Sequence, residues 1–150
     1  MGIFLVLLVA ACQASVVEPG PQEKAFSAVR SNDETGLGQY LAGGGDPNAR
    51  NEDGDSLLYV ASGAKGGVEV ARALISAGAD IDMISREGRT ALHTAAAWCN
   101  ADIVELLLAA GARTDIANSE GNVAMDVICS RPPDRREQVL ALFFKARAGR

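Results

Sequence analysis

Only one histidine, His93, stands among the 150 residues, so neither a two-histidine metal site nor a histidine-paired acid and base can be assembled from this chain. Serine, threonine and carboxylates are plentiful, yet no second histidine or lysine–serine pattern accompanies them. A catalytic triad or dyad is not visible, and the sequence reads as that of a non-enzyme with no metal or cofactor. Aromatic residues are scarce too, at 5% with one tryptophan, and the chain is built largely from Ala, Leu, Val and Gly. That suits a thin stack of short elements better than a deep globular core. Basic residues are outnumbered 14 to 19, for a net charge of −5, which argues against an electrostatic grip on nucleic acid. Long apolar runs are missing as well: the longest, Gly2 to Ala11, has ten residues and is too short to span a bilayer.

What is present is a repeat. In the stretch Gly88 to Ala112, Leu92, Ala95 and Ala96 fall at helical spacing, followed by Ile103, Val104, Leu107 and Leu108 at i, i+1, i+4 and i+5. Two short amphipathic helices in tandem are predicted. Asn100 is placed as the N-cap of the second, Asp102 lies in its first turn, and Gly111 ends it in the left-handed conformation that glycine adopts freely. The same unit recurs upstream, where Gly54, Ser56, Leu58 and Ala61 stand 34 residues before Gly88, Thr90, Leu92 and Ala95. The closing glycines Gly44, Gly78 and Gly111 are 34 and 33 apart, and a fixed period of this length means stacked repeats.

The segments GRTALHTAAA and DIVELLLAAGA resemble the ankyrin repeat, with Thr90, Leu92 and His93 standing where that family has Thr-Pro-Leu-His and Ala91 replacing the proline. The resemblance implies an all-α solenoid of about four helix-turn-helix repeats with short β-hairpin fingers, at roughly 23–50, 51–84, 85–117 and 118–148. It also implies a binding scaffold, monomeric, that holds another protein. By the family pattern the binding face is made of finger tips and the exposed side of each first helix. Those positions are Glu52, Asp53, Asp55 and Tyr59, then Arg86, Glu87, Arg89, Ala97 and Trp98, then Ser119, Glu120 and Asn122. His93 and Thr90 are expected to serve turns and caps. Trp98 has two readings, an anchor for the partner or a side chain packed on repeat four near Cys129 and Arg131.

Within the repeats, the first is predicted to have helices around Ala25 to Arg30 and Thr35 to Leu41, the second weakened by Gly36 and Gly38, so that this end frays. The second carries a looser GAKGG turn at residues 63–67. In the fourth, Val123, Met125, Val127 and Ile128 are predicted to form the first helix, Pro132 and Pro133 to break it, and Arg135 to Ala146 to form the second. From Arg131 onward there are six basic and two acidic residues, leaving eight basic and seventeen acidic before it. A solvated surface followed by a cationic last helix accounts for that split.

The apolar run has the length of a signal-peptide core, although no Lys or Arg precedes it. It ends in Val9-Ala10-Ala11-Cys12, which resembles the bacterial lipobox, where the cysteine is lipidated and becomes the first residue after cleavage. That resemblance implies a signal peptide at 1–11, a membrane anchor on Cys12, and a tether at 12–22 marked by Pro19, Gly20 and Pro21. Gln13 follows the cysteine rather than Asp, so the implied location is the cell envelope, on the outer membrane facing the periplasm. A secreted, released form is the alternative. Cys99 and Cys129 would then be an even pair in an oxidising compartment, in adjacent layers but three alignment positions out of step. A disulfide and two free thiols both stay open.

Overall fold

Apolar pairs such as Leu57 with Leu58 and Ile103 with Val104 give each short helix one buried stripe and no independent stability, since helices of 7 to 9 residues are marginal alone. Stacking supplies what length does not. The structure is a computed structural model that describes residues 18–63, 67–130 and 132–149. The predicted signal peptide, Cys12 and most of the tether lie outside the described residues, as does the centre of the GAKGG turn. Seven helices are described: α1 (Pro21–Ser31), α2 (Glu34–Ala42), α3 (Leu57–Gly63), α4 (Val68–Ser76), α5 (Ala91–Ala97), α6 (Ala101–Ala109) and α7 (Pro133–Ala148). Helices α1, α3 and α5 pack as one row, α2, α4, α6 and α7 as the other, and each pair within a repeat closes against itself. The core runs continuously between the rows. Leu58, Leu74, Leu92 and Leu107 are each no more than 1% exposed, and burial of this kind stabilises by about 1.5–3 kcal/mol per side chain.

The caps fall where their residue types place them. Thr90 and His93 form a reciprocal capping box at the start of α5, Asn100 accepts the Ile103 N–H at the start of α6, and Gly111 closes α6 with φ of 93°.

Three expectations need correction, and one open question is answered. The tether ends earlier than its composition suggests, because Pro21 occupies the first turn of α1, where its missing N–H costs nothing, and the Gln22 side chain donates to the Arg50 carbonyl. The fingers contain no strand among the described residues. Two are closed by isolated bridges, Arg50 with Ser56 and Ala117 with Val123, and the middle one by a hydrogen bond from Ser85 N–H to Arg89 O at 2.8 Å. The first helix of the fourth repeat does not form: residues 124–127 are turns, and the Asp126 carboxylate accepts the Val123 N–H. Three β-branched residues, Val123, Val127 and Ile128, lower helix propensity there, and the Cys129 N–H donates to the Ala96 carbonyl at 3.2 Å. Of the two states the sequence leaves open for the cysteines, a disulfide or free thiols, the structure has the disulfide. With the helix unmade, the chain before α7 lies beside the end of α5, and Cys99 and Cys129 stand with their Cα atoms 5.6 Å apart in a disulfide.

The two glycines of α2 differ in what surrounds them. A Cβ at Gly36 would stand 2.5 Å from Oδ2 of Asp33, whose carboxylate caps α2, and 3.2 Å from the Ala28 Cβ, whereas nothing lies within 4 Å of one at Gly38. Gly38→Ala should therefore stabilise the chain by about 0.5–1 kcal/mol, while Gly36→Ala should not. Thermal melts of the two variants check this, and equal shifts would contradict it.

Candidate protein-binding face

Each finger is built on one polar side chain placed three residues before a glycine. Asn51 Oδ1 accepts the Asp55 N–H, Ser85 Oγ accepts from Glu87 and Arg89, and Asn118 Oδ1 accepts from Glu120 and Asn122. Gly54, Gly88 and Gly121 then turn the chain with φ of 85°, 73° and 82°. At Gly88 the need is double, since an added Cβ would stand 3.3 Å from the Cα of Asn118 in the next finger. Asn51, Ser85 and Asn118 were not singled out in the sequence. Their signal was a polar residue three before each finger glycine, at the same steps of 34 and 33.

Neighbouring fingers are tied together. Arg50 Nη1 donates to the Ile84 carbonyl at 2.7 Å, Arg86 Nη2 to the Glu52 carbonyl at 2.7 Å, and Ser119 N–H to the Glu87 carbonyl at 2.9 Å. Arg86 is thus a strut between fingers, its stem lying over Gly54, and not only a contact residue. Behind the fingers, an asparagine and an aspartate repeat the device: Asn48 Oδ1 accepts the Asp80 N–H and Asp82 Oδ1 the Arg113 N–H. Repeat geometry uses these side chains for backbone order.

Glu52, Asp53, Arg86, Glu87, Ser119 and Glu120 are exposed along this edge, with Asp55, Tyr59, Arg89 and Asn122 half-buried behind them. The edge is acidic and crowded: burial raises the Asp55 pKa, the charges of Asp53 and Glu87 add to the rise, and Arg50 and Arg86 oppose it. Ala97 and Trp98 are not part of that cluster. They stand at the opposite end of α5, a seven-residue helix about 10 Å long. Trp98 is 67% exposed, and a Cβ at Gly63 of the preceding repeat would lie 3.5 Å from its Nε1 and 3.3 Å from Thr94 Cγ2. The indole therefore lies alongside repeat two.

His93 is held on both sides. Nδ1 accepts from the Thr90 N–H at 3.2 Å and hydroxyl at 2.9 Å, while Nε2 donates to the Asn122 carbonyl at 3.0 Å in the next finger. This network needs the neutral ring, because protonated Nδ1 would face the Thr90 N–H with a second hydrogen. Burial holds its pKa below the ordinary 6.5, the Asn122 carbonyl opposes, the Arg89 charge lowers it further, and Asp126 opposes. With the folded value below the unfolded one, this contribution is complete above pH 6.5 and is lost as pH falls toward the folded value. Urea melts between pH 7 and 5.5 should show stability falling by at most about 1.4 kcal/mol per pH unit from this group, and His93→Gln should remove that part of the slope. Parallel curves for the two proteins would contradict it.

Among the described residues no group of three or more His, Cys, Asp or Glu side chains is arranged to hold a metal ion. The arrangement offers a rigid polar edge, a row of first helices and one exposed indole.

The comparisons with known proteins agree with this architecture. Residues 25–118, more than half of the chain, match the family described as "Ankyrin repeats (3 copies)", and the chain belongs to that family. The match stops where the fourth repeat loses its first helix. "SH3 and multiple ankyrin repeat domains protein 1" of Homo sapiens and of Mus musculus are each 44% identical over 61 residues, 40% of this chain. The chain spans only about 3% of the length of these curated relatives.

Proposed function

We propose that this chain is a non-catalytic ankyrin module that holds another protein along its finger edge and first-helix face, with Trp98 as apolar anchor. One observation carries the reading: the fingers are cross-tied into a single edge whose outward side chains, Glu52, Asp53, Glu87 and Glu120, are left exposed. A preorganised edge loses little entropy on binding. His93, the only histidine, is committed to structure, which supports a binding role over catalysis.

We place the module at the bacterial cell envelope, tethered by a lipid on Cys12. Val9-Ala10-Ala11-Cys12 supports this reading, as does the Cys99–Cys129 disulfide, a bond that fits an oxidising compartment. No helix among the described residues is long and apolar enough to cross a membrane. A fatty-acid probe fed to the native cells should label the wild type and not Cys12→Ser; equal labelling would overturn the anchor. A released, exported protein is the second reading, and Cys12 found unmodified in a cleaved, released form would favour it.

For the binding face, a photo-reactive amino acid placed at Asp53, Glu87, Trp98 or Glu120 should capture one protein in the native cells. The same group at Arg72 or Glu105, exposed on α4 and α6, should capture none. Capture from the α4 and α6 positions alone would reject the proposed face.

A further inference from the structure

Helix α7 is 16 residues long, and its buried side consists of Val139 and Phe143. Its opposite side is open. At 100° per residue, Asp134, Glu137, Ala141, Phe144, Lys145 and Ala148 fall within an arc of about 100°, and all six are exposed, Phe144 by 59%. An exposed phenylalanine beside two exposed alanines is an apolar spot on an otherwise charged helix face, of the kind a second surface can cover. Lys145 is the one cation within the arc; the arginines of the helix, Arg135, Arg136 and Arg147, project outside it.

The arc is self-complementary about Ala141. Glu137 lies four residues before that position and Lys145 four residues after it. An antiparallel pair of α7 helices with its two-fold axis at Ala141 would set each Glu137 against Lys145 of the second copy. The small Ala141 side chains let the helices approach, and each Phe144 ring would cover Ala141 of the other copy. Opposed helix dipoles favour the same orientation. We propose that α7 is a homodimer contact whose occupant is α7 of a second copy of this chain, contrary to the monomer expected from the family pattern. Two helices about 24 Å long bury less than the roughly 1,200 Å² of a stable interface, so the dimer is of the weak, transient class.

Charge reversal tests the pairing directly. In sedimentation equilibrium of the full chain, Lys145→Glu and Glu137→Lys should each weaken association at least about tenfold. The double variant Glu137→Lys/Lys145→Glu should restore it to within about threefold, because the pair is re-formed with its signs exchanged. Circular dichroism confirms that each variant is folded, and Arg72→Glu serves as the unchanged control. A wild-type chain that stays monomeric up to about 1 mM would overturn the proposal. So would association that survives Lys145→Glu undiminished, or a double variant as weak as the single ones.

Discussion

Replacing Cys99 and Cys129 together with serine is expected to destabilise the chain by about 3–4 kcal/mol, with the loss concentrated in α7. The bond joins residues 30 apart, and closing a loop of that size in the unfolded chain is worth about 3.5 kcal/mol in the chain-entropy account. The terminal unit has little else to replace it. The turn segment before α7 makes no helix, and α7 itself buries fully only Val139 and Phe143 against the stack. Stability in a solenoid is a sum over neighbours, so freeing the last unit need not unfold the others. Hydrogen exchange should therefore accelerate in residues 133–148 of the double serine variant, and of the reduced wild type, while α3 to α6 stay protected. Unchanged protection of α7 would show that packing alone holds the helix.

Trp98→Ala is expected to weaken partner binding at least about tenfold, equivalent to about 1.4 kcal/mol, while moving the thermal midpoint by only a few degrees. The side chain is 67% exposed and lies alongside Gly63 and Thr94, so truncation removes little buried area. At an interface the same indole would be covered, and tryptophan is enriched among residues whose truncation costs about 2 kcal/mol or more. A large loss of stability with unchanged affinity of the folded fraction would make Trp98 a packing residue.

The repeat frame was legible because it rests on local chemistry repeated at a period. Gly88 and Gly111 need left-handed backbone, Thr90 and Asn100 cap, and Leu92 and Leu107 fall on buried stripes; each signal reinforces the others. The fourth repeat was misread because Val123, Met125 and Val127 alternate as much as they follow a helical period, and the deciding interaction, Cys129 N–H to Ala96 O, lies 33 residues back in the chain. The disulfide depended on that failure. Had the predicted helix formed, Cys129 would have stood out of step with Cys99. The finger positions Glu52, Asp53, Glu87 and Glu120 were placed by the family pattern, and the structure sets them on one edge. Arg86 looked like one more contact, but its strut to the Glu52 carbonyl depends on a finger 34 residues away. The separation of Trp98 from the finger cluster followed from the length of α5, which the sequence carried but the pattern alone did not emphasise.

The central claim is that the finger edge and the first-helix face, and not the outer row of helices, hold the partner. The most direct measurement is calorimetric titration of the protein captured from the native cells against two sets of variants, Asp53→Ala, Glu87→Ala, Trp98→Ala and Glu120→Ala in one, Arg72→Ala and Glu105→Ala in the other. The claim expects at least one tenfold loss in the first set, largest at Trp98, and changes within about twofold throughout the second. Losses confined to Arg72 and Glu105 would contradict it.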